Sequence, residues 1–274
     1  ARRQRQMCIR DSPEGGRAAK GRAIVNLIGC EPDEKVSAFI SVKEFNDDHY
    51  VVMATEKGMV KKTKLSAYSN PRKKGIYAVE IRDGDKLIEA RVSTGDNDIL
   101  LGTRNGKSIR FSEEQIRASG RKTMGVKCIT LSSEDDRLVG MLLIKREGTV
   151  LVATEKGFGK RTEISQYRAQ KRGGKGVLTM KTTDKVGKMV TIKEVVDKDD
   201  LMIITNQGVL IRLPVAQIRS IGRATQGVKL IKLGEGTLVS SITRIMSEEE
   251  EDENNNTCLL YTSPSPRDRG RSRM

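Results

Sequence analysis

One four-residue phrase, Thr-x-x-Gly, recurs along this chain at Thr55–Gly58, Thr103–Gly106, Thr154–Gly157 and Thr205–Gly208, its glycines 48, 51 and 51 residues apart. A second set of glycines, Gly75, Gly125, Gly176 and Gly227, keeps the same step. A third landmark, the first apolar residue after a polar turn, falls at Val36, Leu87, Leu138, Met189 and Leu238. Three landmarks in phase mean that one supersecondary unit is stacked repeatedly, which leaves few architectures open.

Each period offers four short runs rich in Val, Ile and Leu between Gly and Asp turns, which read as strands. In one unit these are Leu87–Val92, Asp98–Thr103, Lys107–Phe111 and Val126–Leu131. In the next they are Leu138–Ile144, Thr149–Thr154, Phe158–Thr162 and Val177–Lys181. A left-handed glycine would close the Thr-x-x-Gly hairpin with a bulge. The fold class is therefore all-β, a propeller-like repeat of four-stranded blades with a period of about 51 residues. The absence of Trp marks a subclass apart from aromatic-rich blades. Pro13–Leu27, with Gly21-Arg22-Ala23-Ile24-Val25, matches only the second half of a unit. Four full units flanked by partial ones are expected, from a native domain of five or six blades.

Both ends read as foreign. Met7–Ser12 and Cys258–Thr262 can be encoded by one short DNA sequence and its reverse complement, as a sequencing adaptor would leave. The chain divides into an adaptor-derived tail at 1–12, the repeat body at 13–247, an acidic tail at 248–257 and a second adaptor-derived tail at 258–274, and reads as a piece of a longer gene. The net charge is +15. Each foreign end contributes four Arg and one Asp and the run Glu248–Glu253 six negative charges, so the repeat body alone also carries +15. A body with that surplus seeks a polyanion, and no long apolar run points to a membrane instead. The acidic run would compete with phosphate for the same cations.

The charge keeps the phase of the repeat. Four residues beyond each hairpin glycine stand Lys62, Arg110, Arg161 and Arg212, joined by Lys61 and Lys160 in two units. Ahead of the second-set glycines lie Arg17, Lys20 and Arg22, then Arg72, Lys73 and Lys74, Arg121 and Lys122, Lys171, Arg172 and Lys175, and Arg223. On a ring of blades these would form a solvent-facing cationic band. It would touch phosphates and wrap duplex DNA, since no recognition helix or base-stacking pair is visible.

Other chemistries find little support. Cys30 and Cys128 stand far apart with one histidine, His49, in the chain, which supports neither a zinc site nor a disulfide framework. Gly102–Ser108 misses the phosphate-loop spacing by one residue and precedes a strand. Asp83-Gly84-Asp85 reads as a hairpin turn, and Tyr68 and Tyr167, at matching places, as packing residues.

The run Gln170-Lys171-Arg172-Gly173-Gly174-Lys175-Gly176 closely resembles the gyrase A box, and residues 13–247 resemble the C-terminal β-pinwheel domain family of the DNA gyrase A protein. Lys107–Phe111, Gly157–Thr162 and Ile221–Val228 are similar to that family, and an acidic tail fits it as well. The resemblance implies wrapping of duplex DNA in support of ATP-dependent negative supercoiling by a bacterial, cytoplasmic type II topoisomerase. Its partners would be the gyrase B protein and a second copy of the gyrase A protein, held through an N-terminal part that also carries the DNA-cleaving tyrosine. ATP and magnesium would serve the whole enzyme, and this part would need no cofactor. In the family the box lies in the first blade, whereas the match here lies in a later one. Gln170–Gly176 is therefore either the functional box or a box-like loop. The similar C-terminal domain of the topoisomerase IV counterpart is the alternative, and a protein-interaction propeller is the alternative of another class.

Overall fold

The computed structural model describes residues 5–6, 36–38, 40–42, 44–70, 75–234 and 236–245. In chain order the strands are β1 (Arg5–Gln6), β2 (Tyr50–Thr55), β3 (Met59–Lys64), β4 (Ile76–Tyr77), β5 (Leu87–Ser93), β6 (Asp98–Thr103), β7 (Lys107–Ser112), β8 (Val126–Lys127), β9 (Leu138–Ile144), β10 (Thr149–Thr154), β11 (Phe158–Glu163), β12 (Val177–Leu178), β13 (Met189–Val195), β14 (Asp200–Thr205), β15 (Leu210–Pro214), β16 (Val228–Lys229) and β17 (Val239–Ile245). A single 3-10 turn follows the second hairpin strand of each unit. The acidic run, both suspected tags apart from β1, Cys30 and the run Pro13–Leu27 lie outside the described residues.

Each Thr-x-x-Gly closes an antiparallel hairpin, β2–β3, β6–β7, β10–β11 or β14–β15. The hairpin glycines adopt φ of +83°, +82°, +76° and +80°, the left-handed region that a Cβ penalises. Each donates its N–H to the threonine carbonyl at 3.0–3.1 Å. In three units the threonine hydroxyl accepts the N–H of the residue after the glycine, which accounts for threonine in the phrase. A register shift immediately before this threonine recurs in all four units.

The blades exchange strands. Three sheets are four-stranded, in the orders β5-β2-β3-β8, β9-β6-β7-β12 and β13-β10-β11-β16. The fourth, β17-β14-β15, has three strands among the described residues. Hence Leu87–Ser93 belongs with the preceding hairpin, and in the three four-stranded sheets the outermost strand comes from the following unit. The four runs of one sequence period therefore do not make one blade: a tight turn dictates hairpin partners, but long connections leave the flanking strands to tertiary packing. The runs read as Val126–Leu131 and Val177–Lys181 keep only two ladder residues each. Beyond them the backbone turns inward, and Cys128 N–H and Thr179 N–H donate to the carbonyls of Gly58 and Gly106. The third landmark also shifts at its last position. Thr205 pairs with Val239, while Leu238 is 40% exposed.

Neighbouring blades share cores because both faces of the first hairpin strand are covered. Val52 and Ala54 of β2 pack with Ile99 and Leu101 of β6, while Val51 and Met53 face a separate cluster with Leu65 and Tyr68. Leu100 turns to Val150, Val152 and Tyr167, and Leu151 and Ala153 turn to Leu201 and Ile203. Each such Val, Leu, Ile or Met side chain contributes about 1.5–3 kcal/mol of burial. Unbroken apolar runs in β2, β6 and β10 follow from this two-sided burial.

Candidate nucleic-acid interface

The four cations beyond the hairpin glycines do not form an exposed band. Lys62 is buried against the Tyr50 ring, its Nζ 3.0 Å from Glu113 Oε1 and 3.0 Å from the Gly95 carbonyl. Arg110 pairs with Asp98 at 2.6 Å and donates to the Ile164 and Tyr167 carbonyls of the next unit at 3.2 Å. Arg161 is buried, donates through Nε to the Ile218 carbonyl at 2.7 Å and pairs with Asp197. Arg212 alone is largely exposed, paired with Asp200 at 2.5 Å. The physical reason is the two-sided burial of the blades: side chains on both faces of β3 and β11 meet a neighbour, which supplies carbonyls and carboxylates.

Lys61 and Lys160 are buried more deeply still. Lys61 Nζ donates to the carbonyls of Ala78, at 2.7 Å, and Arg121. Lys160 Nζ donates to the carbonyls of Gly222, at 2.7 Å, and Arg223, and to Thr225 Oγ1 at 3.0 Å. Burial, reinforced by the nearby Arg121 or Arg223 guanidinium, lowers each ammonium to about 8. Arg17, Lys20, Arg22, Arg72, Lys73 and Lys74 lie outside the described residues.

The loops before β8, β12 and β16 carry the solvent-facing charge. Lys122, Lys171 and Lys175 are exposed and make no side-chain hydrogen bond or ion pair among the described residues. Two arginines four residues before second-set glycines, Arg172 and Arg223, have partly structural work. Arg172 donates through Nε to the Gln115 carbonyl at 3.0 Å and through Nη1 to the Lys127 carbonyl at 3.3 Å. Its equivalent, Arg223, donates to the Leu178 carbonyl at 3.2 Å and stands 5.9 Å from the Tyr167 ring centroid. Arg121 is half-buried.

The glycines of Gln170–Gly176 bring the loop against protein. Gly173 N–H donates to the Cys128 carbonyl at 2.7 Å, and Thr130 N–H donates to the Gly174 carbonyl at 2.8 Å. At Gly176, with φ +70°, a Cβ would stand 2.4 Å from the Ser108 carbonyl oxygen. This explains the second glycine set: the exchanged strand crosses its host strand too closely for a side chain.

Three further exposed arginines, Arg117, Arg168 and Arg219, stand outside the segments singled out in the sequence, spaced by 51 residues and free of side-chain partners among the described residues. They follow the 3-10 turns and carry the same period, which is the signal that identifies them. Exposed Lys127 and Lys229, on β8 and β16, extend the set along the outermost strands. A cationic strip therefore runs at equivalent outer positions of successive blades, as phosphate contact requires.

Elsewhere the chemistry is structural. Asp85 Oδ1 accepts the N–H groups of Lys57 and Lys86, as a turn residue does. Tyr68 and Tyr167 are buried. Cys128 is buried, which pushes its thiol up to about 12. Among the described residues no group of three His, Cys, Asp or Glu side chains could hold a metal ion. No helix among them is long and apolar enough to cross a membrane.

A family model for the DNA gyrase C-terminal domain, a β-propeller, matches four successive segments, residues 49–94, 97–145, 148–195 and 199–245. The DNA gyrase A protein of Staphylococcus epidermidis is 45% identical over 240 residues, covering 86% of this chain and 27% of that protein. Its Staphylococcus aureus counterpart is 44% identical over 239 residues, with the same coverage. The chain thus spans about a quarter of the length of these relatives. Among solved structures, the C-terminal domain of DNA topoisomerase IV aligns with a TM-score of 0.80 at 24% identity, covering 86% of this chain and 74% of that one. A DNA gyrase A C-terminal domain aligns with a TM-score of 0.75 at 22% identity, covering 83% and 76%. At those identities the likeness concerns the fold, whereas the family model returns once per hairpin across all four units: the chain belongs to the DNA gyrase C-terminal domain family.

Proposed function

We propose that this chain binds duplex DNA through its phosphates and wraps it around the outer edge of the blades, as part of an enzyme that supercoils DNA with ATP and magnesium. The carrying observation is the strip of unpaired, exposed cations in phase with the repeat, above all Arg117, Arg168 and Arg219. Equivalent positions on stacked blades follow a curved path, so successive phosphates can be met only by bent DNA. Smooth bending of a 20–30 bp site costs about 1–6 kcal/mol, which many charge-assisted contacts can offset. Identity of 44–45% to gyrase A proteins over most of the chain favours gyrase over topoisomerase IV as the parent enzyme. Partnership with the gyrase B protein and with a second copy of the gyrase A protein, in a bacterial cytoplasmic setting, belongs to the same proposal. The test is duplex binding across a salt titration. Log K should fall steeply with log salt, by about 0.9 per phosphate neutralised. The triple variant Arg117→Ala, Arg168→Ala, Arg219→Ala should flatten that slope by about three units while keeping its fold. Binding indifferent to salt, or an unchanged slope in the triple variant, refutes the proposal.

A further inference from the structure

Lys61 and Lys160 recur with a loop of matching sequence. The loop that Lys61 reaches reads Gly120-Arg121-Lys122-Thr123, and the loop that Lys160 reaches reads Gly222-Arg223-Ala224-Thr225. In both, the threonine hydroxyl donates to the glycine carbonyl at 2.9 Å. In the unit between them Ile109 stands in place of the lysine, and its loop reads Lys171-Arg172-Gly173-Gly174.

All three loops share one anchor to the preceding unit. Glu80, Thr130 and Lys181 donate their N–H groups to the carbonyls of Thr123, Gly174 and Thr225. They differ one residue earlier. Gly173 N–H turns inward to the Cys128 carbonyl, whereas the equivalent N–H groups of Lys122 and Ala224 have no acceptor among the described residues. The buried ammonium explains the difference. It draws the carbonyls of Arg121 and Arg223 inward, and in a planar trans peptide the N–H that follows points the opposite way. Two outward N–H groups result, each over a buried positive charge, and Lys122 is itself an exposed cation. Backbone N–H groups over positive charge suit a phosphate oxygen.

We propose that Lys61 and Lys160 are positioning residues that turn the peptide units after Arg121 and Arg223 outward, so that Lys122 N–H and Ala224 N–H each donate to a DNA phosphate. This rests on the DNA-binding reading above and adds two alternate-blade backbone sites to its side-chain strip. The loop carrying the glycine pair lacks this site, because its N–H is spent on Cys128.

The test uses the full chain, labelled for amide NMR and titrated with a 30 bp duplex, alongside Lys160→Ile. Isoleucine occupies the equivalent position in two units, as Ile109 and Ile211, so the variant should fold. In the parent, the Lys122 and Ala224 amides should shift on adding duplex and Gly173 should not. In Lys160→Ile the Ala224 response should vanish while that of Lys122 remains, with affinity down about tenfold and the salt slope flatter by about one unit. If the parent binds duplex but the Lys122 and Ala224 amides do not respond, the inference is overturned and the DNA reading survives. Parent-like affinity and an intact Ala224 response in a folded Lys160→Ile also overturn it. If the parent shows no salt-dependent binding, both fail. Should Lys160→Ile not fold, the parent amide responses still decide.

Discussion

Alanine at the four in-phase cations should destabilise the protein in a set order, with Lys62 and Arg161 first, Arg110 next and Arg212 last. At Lys62 the substitution strands Glu113, whose side chain has no exposed surface, and breaking a buried pair this way costs about 3–5 kcal/mol. At Arg161 the partner Asp197 is 77% exposed and stays hydrated, so no buried charge is left behind. The loss there is the charge-assisted bond to the Ile218 carbonyl, about 1.5–3 kcal/mol. The two stem methylenes that alanine lacks, Cγ and Cδ, add about 1.6 kcal/mol. Arg110 gives up two longer carbonyl bonds, at 3.2 Å, and its pair with Asp98, so about 2–3 kcal/mol is expected. Arg212, 65% exposed, forms a surface pair worth at most about 1 kcal/mol. Urea unfolding of each single variant, compared at constant m, gives the four differences directly. Four equal losses, or Arg212→Ala the most damaging, would refute the assignment of these cations to the joints between blades.

Two further outcomes follow from the same geometry. Gly227→Ala puts a Cβ 2.6 Å from the Gly159 carbonyl oxygen, whereas Gly236→Ala, at a similar φ, meets nothing within 4 Å, so the first should lose about 1–3 kcal/mol more in urea unfolding. The Lys160 ammonium sits at about 8 in the folded protein, below its ordinary 10.5, so between those pH values the unfolded chain holds more protons and stability rises with pH. The stability of the parent minus that of Lys160→Ile should therefore grow between pH 8 and 10.5, by on the order of 3 kcal/mol, and a flat difference across that range contradicts the burial of the charge.

The elements of this fold were legible because their causes are local. Asp98–Thr103, Leu138–Ile144 and Thr149–Thr154 coincide with the observed strands, and the Thr-x-x-Gly glycines adopt the left-handed conformation their spacing implies. The exchange of strands was not legible. Nothing local tells Val126–Lys127 that its partner is β3 rather than β7, since either would satisfy its ladder bonds. The second glycine set was the available clue. Gly125, Gly176 and Gly227 each cross the carbonyl of a strand from the preceding unit, at Val60, Ser108 and Gly159, and a turn glycine has no need of such a crossing.

For the interface, the period located cations but not their surroundings. In a sheet with one wet face, adjacent lysines such as Lys61 and Lys62 would have one side chain in solvent. Here both faces are covered, so both lysines enter the protein, and the in-phase arginines Arg110 and Arg161 become links between units. A cation on a hairpin strand whose two faces are covered, as at Lys62 or Arg161, therefore reports on the joint between blades, while one after a 3-10 turn, as at Arg117, Arg168 and Arg219, reports on the surface. The loops needed a comparison within the chain. Lysine at the third position beyond the hairpin glycine accompanies Gly-Arg-x-Thr twice, and isoleucine accompanies Lys-Arg-Gly-Gly once. That association links a core position to a surface loop some sixty residues later, and the ammonium–carbonyl bonds are its physical cause. A lysine that looks like a phosphate ligand thus acts one step removed, by deciding which backbone groups the loop offers to solvent.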